Sequence, residues 1–229
     1  MIRVTLRGAA VGAGREAALP PVSVTFAPGF PTLLATEGGN RPTVLSLVAS
    51  GRMKLDAGSI DATDGDGNAL GPARLRRAIA LIDTPLVAEH SDDVSIANVV
   101  REELALARSN RRADRPVEYT DRHDFGSLPA DHRLRLLIDL ALRRPEVAAL
   151  VITSPERHGG DPALWWRVVR ETAARGTAVL VLTDAATVAH LERLPRPDPA
   201  GLDAVALFDL VPASAPAAAG AFSAESRVP

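Results

Sequence analysis

The residues best suited to chemistry form one short run, Glu37-Gly38-Gly39-Asn40-Arg41-Pro42-Thr43, set between apolar stretches at residues 31–36 and 43–49. Paired glycines let backbone amides turn outward, and the amides opening a helix carry partial positive charge. A strand, a glycine turn and a helix in succession therefore make an anion site, and Gly38, Gly39, Asn40, Arg41 and Thr43 are the residues that would line it. Other polar groups offer less. Asp64, Asp66 and Asn68 imitate the start of an EF-hand calcium loop, but Ala69 stands where glycine is needed and Leu75 where a bidentate glutamate is needed, so a plain hairpin turn is expected. His90, His123, His132, His158 and His190 share no metal-ligand spacing and are assigned to surface or capping positions.

These groups need a scaffold, and the hydrophobic periods outline one. Residues 2–6 alternate, as do residues 22–26 after Pro20-Pro21, and both read as strands. Residues 31–36 read as a more buried strand and residues 43–49 as a short helix, while residues 77–82 look like another apolar strand. A helical period runs over residues 93–107, with Ser91-Asp92-Asp93 as its start signal, and again over residues 129–142 with Pro145 as a stop. The charged connector between them, residues 108–124, carries a basic run over 108–115, a solvated face with partner docking as the alternative. Residues 148–152, 162–174 and 178–182 follow as strand, amphipathic helix and strand, the order of a βαβ unit in a parallel sheet. Residues 187–194 give a final helix. On α-helical geometry, one of Trp165 and Trp166 is expected in the core and the other exposed.

Composition limits the function. The chain of 229 residues has room for one α/β domain with an inserted lobe, and a net charge of −2 argues against a general nucleic-acid binder. No cysteine is present, which removes disulfides, thiolate catalysis and cysteine-held zinc and fits an intracellular protein. No apolar run reaches the roughly 20 residues that span a bilayer, so any membrane role is expected to be peripheral, at the cytoplasmic face. Lys54 is the sole lysine among 26 basic residues, so a lysine-to-arginine change carries little functional information here.

Five separated motifs in this order resemble the ATP-binding cassette of transporters, within the P-loop fold, over residues 1–211. Ala35 to Ala49 falls in register with that family's phosphate loop, Gly-x-x-Gly-x-Gly-Lys-Ser/Thr-Thr, and Asp56-Ala57-Gly58-Ser59-Ile60 matches the hinge that follows. Ser127 to Arg135 lies where the family carries its signature Leu-Ser-Gly-Gly-Gln-x-x-Arg. Residues 150–155 match the strand that should end in Asp-Glu-Pro, and residues 175–184 the strand that should end in a switch histidine. The resemblance implies an α/β, RecA-like sheet core with an N-terminal antiparallel part and an inserted helical lobe. The core would span 1–84 and 145–211, the lobe about 85–144, and an Ala/Pro-rich tail, 212–229, would be disordered.

Laid on that pattern, the sequence departs wherever the family does chemistry. The first and third loop glycines are Ala35 and Asn40, the lysine is Arg41, and the magnesium-binding hydroxyl is Pro42. Thr153 and Ser154 replace the metal-binding aspartate and the water-polarising glutamate; Asp184 replaces the histidine, placing an anion where the γ-phosphate would lie. Asp83-Thr84 follow Ile82 where a glutamine is usual, Pro129, Ala130 and Asp131 take the places of the signature's serine and glycines, and no aromatic stands near Val11 to stack on adenine. Asp161 keeps a position in the family's dimer loop and fits a helix N-terminus equally well. The expectation is a degenerate cassette with no catalytic or metal residues and no cofactor. It would act as a regulatory or structural partner of an integral membrane protein or of a second cassette subunit, with a homodimer as a further option. Weak or atypical ATP binding, with magnesium, is the alternative.

Overall fold

The computed structural model describes residues 1–36, 39–107 and 123–194. Two sheets carry the fold. In the first, β1 (Ile2–Val11) is paired antiparallel with β2 (Leu19–Phe26) on one side and β4 (Ala57–Asp64) on the other. Pro20 and Pro21 lie inside β2, where the sequence suggested a strand beginning only after them. β2 is an edge strand, so its outward side needs no amide from either proline, and the pairing with β1 shifts between Ala9 and Val11, opposite the prolines.

The second sheet is parallel, in the order β3 (Thr32–Ala35), β7 (Ala178–Thr183), β6 (Ala149–Thr153), β5 (Ile79–Ile82). It is covered on both faces, which explains why its strands read as unbroken apolar runs. In β7, Ala178, Leu180 and Leu182 face a core shared with the antiparallel sheet, α1 (Arg41–Ala49) and α2 (Pro72–Ala78). Val179 and Val181 face the opposite core, built with α3 (Ile96–Leu106), α4 (Ala130–Ala141), α5 (Pro162–Ala174) and α6 (Ala185–Glu192). Each fully buried Val or Leu there contributes about 1.5–3 kcal/mol, so alternate residues of one strand fasten two different layers to the sheet.

Four expectations require correction. Residues 77 and 78 end a helix, and the strand begins at Ile79. Gly71-Pro72 opens α2, where proline's fixed φ suits the first turn, and Arg76 and Arg77 in its last turn oppose the helix dipole's negative end. α3 starts at Ile96, capped by Ser95, whose hydroxyl accepts from the Asn98 amide at 3.3 Å; the Ser91-Asp92-Asp93 run lies before it and Asp92 is used elsewhere. α6 starts at Ala185 rather than residue 187 because Asp184 caps it, accepting from the Thr187 amide at 2.6 Å. Trp165 and Trp166 are both buried, at 0% and 8% exposure, because α5 packs against β7, α4 and α6 together and hides a wider face than one stripe.

Asp161 caps α5 by accepting from the Ala163 amide at 2.9 Å. Asp64 is consumed by its own turn, accepting from the amides of Asp66 and Asn68 at 3.1 and 2.9 Å. The Asp56–Gly58 hinge has a structural use. Asp56 accepts from the Gly12 amide at 2.7 Å, and Gly58, at φ +81°, lies so close to β1 that a Cβ would come within 2.3 Å of the Gly8 carbonyl oxygen. Most of the connector, residues 108–122, and the whole of residues 195–229, the tail included, lie outside the described residues.

Candidate functional site at the carboxyl edge of the parallel sheet

Open α/β sheets bind ligands beyond the carboxyl ends of their strands, and here that edge is made by the residues leaving β3, β7, β6 and β5. β3 runs toward the glycine turn and α1 begins at Arg41, so the strand–turn–helix order is present. Gly38 lies outside the described residues. Gly39 is exposed at φ +80°, a conformation glycine adopts without strain. Asn40 precedes α1 with its carbonyl accepting from the Val44 amide at 2.9 Å, and its side chain makes no capping bond. Arg41 and Thr43 are half-buried in the first turn of α1. Between them Pro42 is buried and brings no amide hydrogen and no side-chain oxygen.

The inner edge is a chain of hydroxyls. Thr153 Oγ1 lies 2.6 Å from Ser46 Oγ and 3.0 Å from Thr84 Oγ1, and Ser46 Oγ donates to the Pro42 carbonyl at 2.8 Å. Each hydroxyl owns one proton. Ser46 spends its proton on Pro42, so Thr153 donates to Ser46 and Thr84 donates to Thr153. All three side chains are fully buried, and this single direction of donation leaves none of their protons for a ligand.

The carboxylates lie around this chain and are themselves engaged. Glu156, in the 3-10 turn Pro155–His158, accepts from the Thr183 hydroxyl at 2.6 Å. Burial pushes its pKa up, the Thr183 hydrogen bond partly offsets this, and Asp184 nearby adds to the rise. Asp184 is the cap of α6, so its carboxylate is turned to an amide of its own helix. Ser154, in the place of the expected glutamate, adopts φ +49°, a left-handed conformation that aims the chain into the following turn.

At the β5 end, Asp83 is buried at 4% exposure with φ +53° and gathers three side chains. Arg133 of α4 donates to it from Nε and Nη2 at 3.2 and 3.4 Å, Arg157 donates from Nη2 at 2.9 Å, and His158 Nε2 lies 2.5 Å from Oδ2. Because an ionised carboxylate has no proton, the one between them belongs to Nε2. Burial alone would raise the Asp83 pKa. The His158 hydrogen bond and the charges of His158 and Arg133 outweigh it and bring the value to about 2. Arg133 also reaches Asp92 at 2.7 Å and the His90 carbonyl at 3.2 Å, with its guanidinium 4.1 Å above the Phe125 ring. Arg157 continues to Glu89 at 3.0 Å.

Two of the histidines assigned to the surface thus do interior work. His158 belongs to the Asp83 cluster, and His90 pairs with Glu103 at 3.3 Å and meets Phe125 edge-on. The buried Asp83 carboxylate needs hydrogen-bond donors, and His158 turned inward supplies one. Ser46, Glu156, Arg133 and Arg157 were not singled out from sequence. Arg133 alone had a readable signal, since it falls on the apolar stripe of α4 with Leu134, Leu137 and Leu140, where an arginine needs a buried partner.

Magnesium requires oxygen ligands, normally with one or two carboxylates, and a triphosphate requires free donors. Among the described residues the inner positions are neutral hydroxyls already bonded to one another, and both nearby carboxylates are engaged. This set of inner hydroxyls and engaged carboxylates does not fit a bound magnesium ion.

A parallel sheet between two core layers, an antiparallel three-stranded sheet at one side and helices inserted between β5 and β6 together define the fold of the ATP-binding cassette. Particular solved structures share it. An ATP-binding subunit of an ABC transporter superposes with a TM-score of 0.55 at 19% identity, covering 82% of each chain. A bacterial ABC transporter cassette, solved as a dimer, gives 0.56 at 16% identity over 82% of this chain and 90% of its own. A putative ABC transporter ATP-binding protein from Pyrococcus furiosus gives 0.56 at 13% identity, over 80% and 91%. At these identities the likeness is one of fold. No protein-family model matches the sequence, and no curated protein matches it.

Proposed function

We propose that this chain is a cassette-fold protein that does not hydrolyse ATP and that acts as a regulatory or structural subunit, joined to an integral membrane protein or to a second cassette subunit. The observation that carries this reading is the directed chain from Thr84 through Thr153 and Ser46 to the Pro42 carbonyl. Hydrolysis at such an edge needs a metal-holding carboxylate and a group that polarises water. Thr153 and Ser154 supply neither. The retained shape, without the retained chemistry, supports a role in binding a partner. None of the helices among the described residues is long and apolar enough to cross a membrane, which supports contact from the water side; the cytoplasmic face is the location proposed.

The test is calorimetry with magnesium and ATP beside a phosphate-release assay on the full chain. No binding heat and no release are expected. Hydrolysis that disappears in Arg41→Ala would overturn the reading.

One observation favours a second reading, weak or atypical nucleotide binding without efficient turnover. Gly39 holds φ +80° immediately before a helix that begins at Arg41, so Gly38, Gly39, Asn40, Arg41 and Thr43 could still hold a phosphate. Titration with ATP, ADP and GTP separates the two: saturable heat that is lost in Arg41→Ala, with no phosphate released, selects the second.

A further inference from the structure

The opposite, amino edge of the parallel sheet gathers cations without matching acids. The chain leaving α1 (residues 50–55), the whole of α2 and the end of α4 with the turn after it (residues 141–148) carry seven arginines and lysines against one carboxylate, Glu146, although the whole chain has more acids than bases. Two hydrogen bonds bring these segments together. Arg52 donates from Nη2 to the Arg76 carbonyl at 2.9 Å, and the Ala148 amide donates to the Ala78 carbonyl at 2.9 Å. Among the described residues Arg74 pairs with Asp64 at 3.7 Å, whereas Arg52, Arg76 and Arg144 have no carboxylate at ion-pair distance. Arg144 borders the small cavity beside Glu103, and that carboxylate pairs with His90 instead. The Arg52 guanidinium is held below its ordinary pKa, first by neighbouring atoms that shield it from water and then by the charges of Arg144 and Arg76. Three like charges thus share one corner of the fold.

Helix capping accounts for part of this excess. C-terminal carbonyls favour bases, and Arg144 donates from Nε to the Ala141 carbonyl at 3.3 Å. Each helix end offers about half an elementary charge, so the ends of α1, α2 and α4 together offset only about one and a half of the surplus charges. Each guanidinium owns five N–H groups, of which Arg52 turns only Nη1 and Nη2, and Arg144 only Nε, to carbonyls. Arg52 and Arg76 are exposed and Arg144 is half-buried, so an anion reaches them from water. A tetrahedral dianion answers both needs, since it accepts from several planar forks at once and offsets two like charges where a carboxylate offsets one. We infer that Arg52, Arg76 and Arg144 form a receptor for a dianionic phosphate group, free or carried as a monoester on a peptide. The receptor lies at the edge away from the glycine turn and does not depend on the function proposed above. Because α1 and α2 pack in one core and α4 in the other, a phosphate held by all three guanidiniums clamps the two layers together.

The test uses the full chain carrying Arg41→Ala, which removes the guanidinium of the glycine turn, and follows inorganic phosphate by calorimetry and by thermal unfolding at constant ionic strength. Saturable one-to-one binding is expected, and phosphate at about ten times its Kd should raise the melting temperature by roughly 3–5 °C over sodium chloride. Arg52→Gln and Arg76→Gln, each added to that background, should weaken binding at least about tenfold. Without phosphate and at low salt, Arg76→Gln should melt no lower than its parent, because one of three like charges is gone; this separates lost binding from lost folding. A phosphoserine peptide flanked by glycines distinguishes the sources. Binding about tenfold or more tighter than inorganic phosphate points to a phosphorylated protein, and binding no tighter points to free phosphate, with the unphosphorylated peptide silent in both cases. No saturable binding, binding untouched by both glutamine variants, or equal stabilisation by chloride at the same ionic strength would each end the inference. None of these outcomes bears on ATP hydrolysis, which is read separately by phosphate release.

Discussion

Arg133 on α4 and Asp83 at the end of β5 are 50 residues apart in sequence and bonded through Nε at 3.2 Å, with both side chains almost fully buried. One pair therefore bolts the helical layer to the parallel sheet. Removing one member of a buried pair strands the other's charge, and Asp83 is bonded to Arg157 and His158 as well. Asp83→Asn is expected to destabilise the fold by on the order of 3–5 kcal/mol, measured by urea unfolding, with hydrogen exchange rising first in α4 and in residues 84–95. An effect below about 0.5 kcal/mol would show that the cluster holds nothing.

The same carboxylate sets an acid limit. Its pKa in the folded chain, about 2, is below its ordinary value of 3.8, so the folded state favours the ionised form. The stabilisation is complete above pH about 4 and is lost as pH falls toward 2, amounting to about 2 kcal/mol. Unfolding free energies measured across that window should fall by about that much more in wild type than in Asp83→Asn, which keeps only the smaller contribution of carboxylates such as Asp64.

Glu156 works in the opposite sense. Its pKa is raised chiefly by burial, so the protonated form suits the fold, and its contribution falls as pH rises past the ordinary carboxylate range. Glu156→Gln keeps an acceptor for the Thr183 hydroxyl and removes the charge. It should raise the melting temperature at pH 7 by a few degrees and have no effect near pH 3, where wild-type Glu156 is already neutral. Equal gains at both values would contradict this account.

Thr153 gives the sharpest contrast between two substitutions of similar size. Thr153→Val leaves the Thr84 hydroxyl without its acceptor and should cost about 1–3 kcal/mol at any pH. Thr153→Asp buries a carboxylate among the neutral hydroxyls of Ser46 and Thr84. It should cost more, on the order of 3 kcal/mol at pH 7, and less in mild acid as the carboxyl group takes up a proton. Recovery of the Asp variant's stability by magnesium with ATP would reveal a working metal site and defeat the non-hydrolysing reading.

Gly58 supplies a test remote from the edge. A methyl group there would meet the Gly8 carbonyl, and φ +81° disfavours any side chain, so Gly58→Ala should lower stability by about 1–3 kcal/mol in thermal unfolding.

Much of this fold was readable because its signals are local. Strands buried on both faces declare themselves as apolar runs, and β6, α5 and β7 follow the sequence pattern to within a residue. α2 was missed because its seven residues, Pro72 to Ala78, give too short a period to separate from a strand. The strand–turn–helix at the anion site was readable, whereas the partners of its neighbours were not. Asp83 meets Arg157 across 74 residues of sequence and Thr153 meets Ser46 across 107, and no local pattern encodes either meeting.

Pro42 closes one end of the hydroxyl chain with its carbonyl while its own ring is buried at the start of α1. On the non-hydrolysing reading proposed above, an acid at position 153 would enter a row of bonded hydroxyls and a hydroxyl at position 42 would find no acid in that row. Neither change by itself would make a metal site, so a hydrolysing edge would take at least two coordinated substitutions.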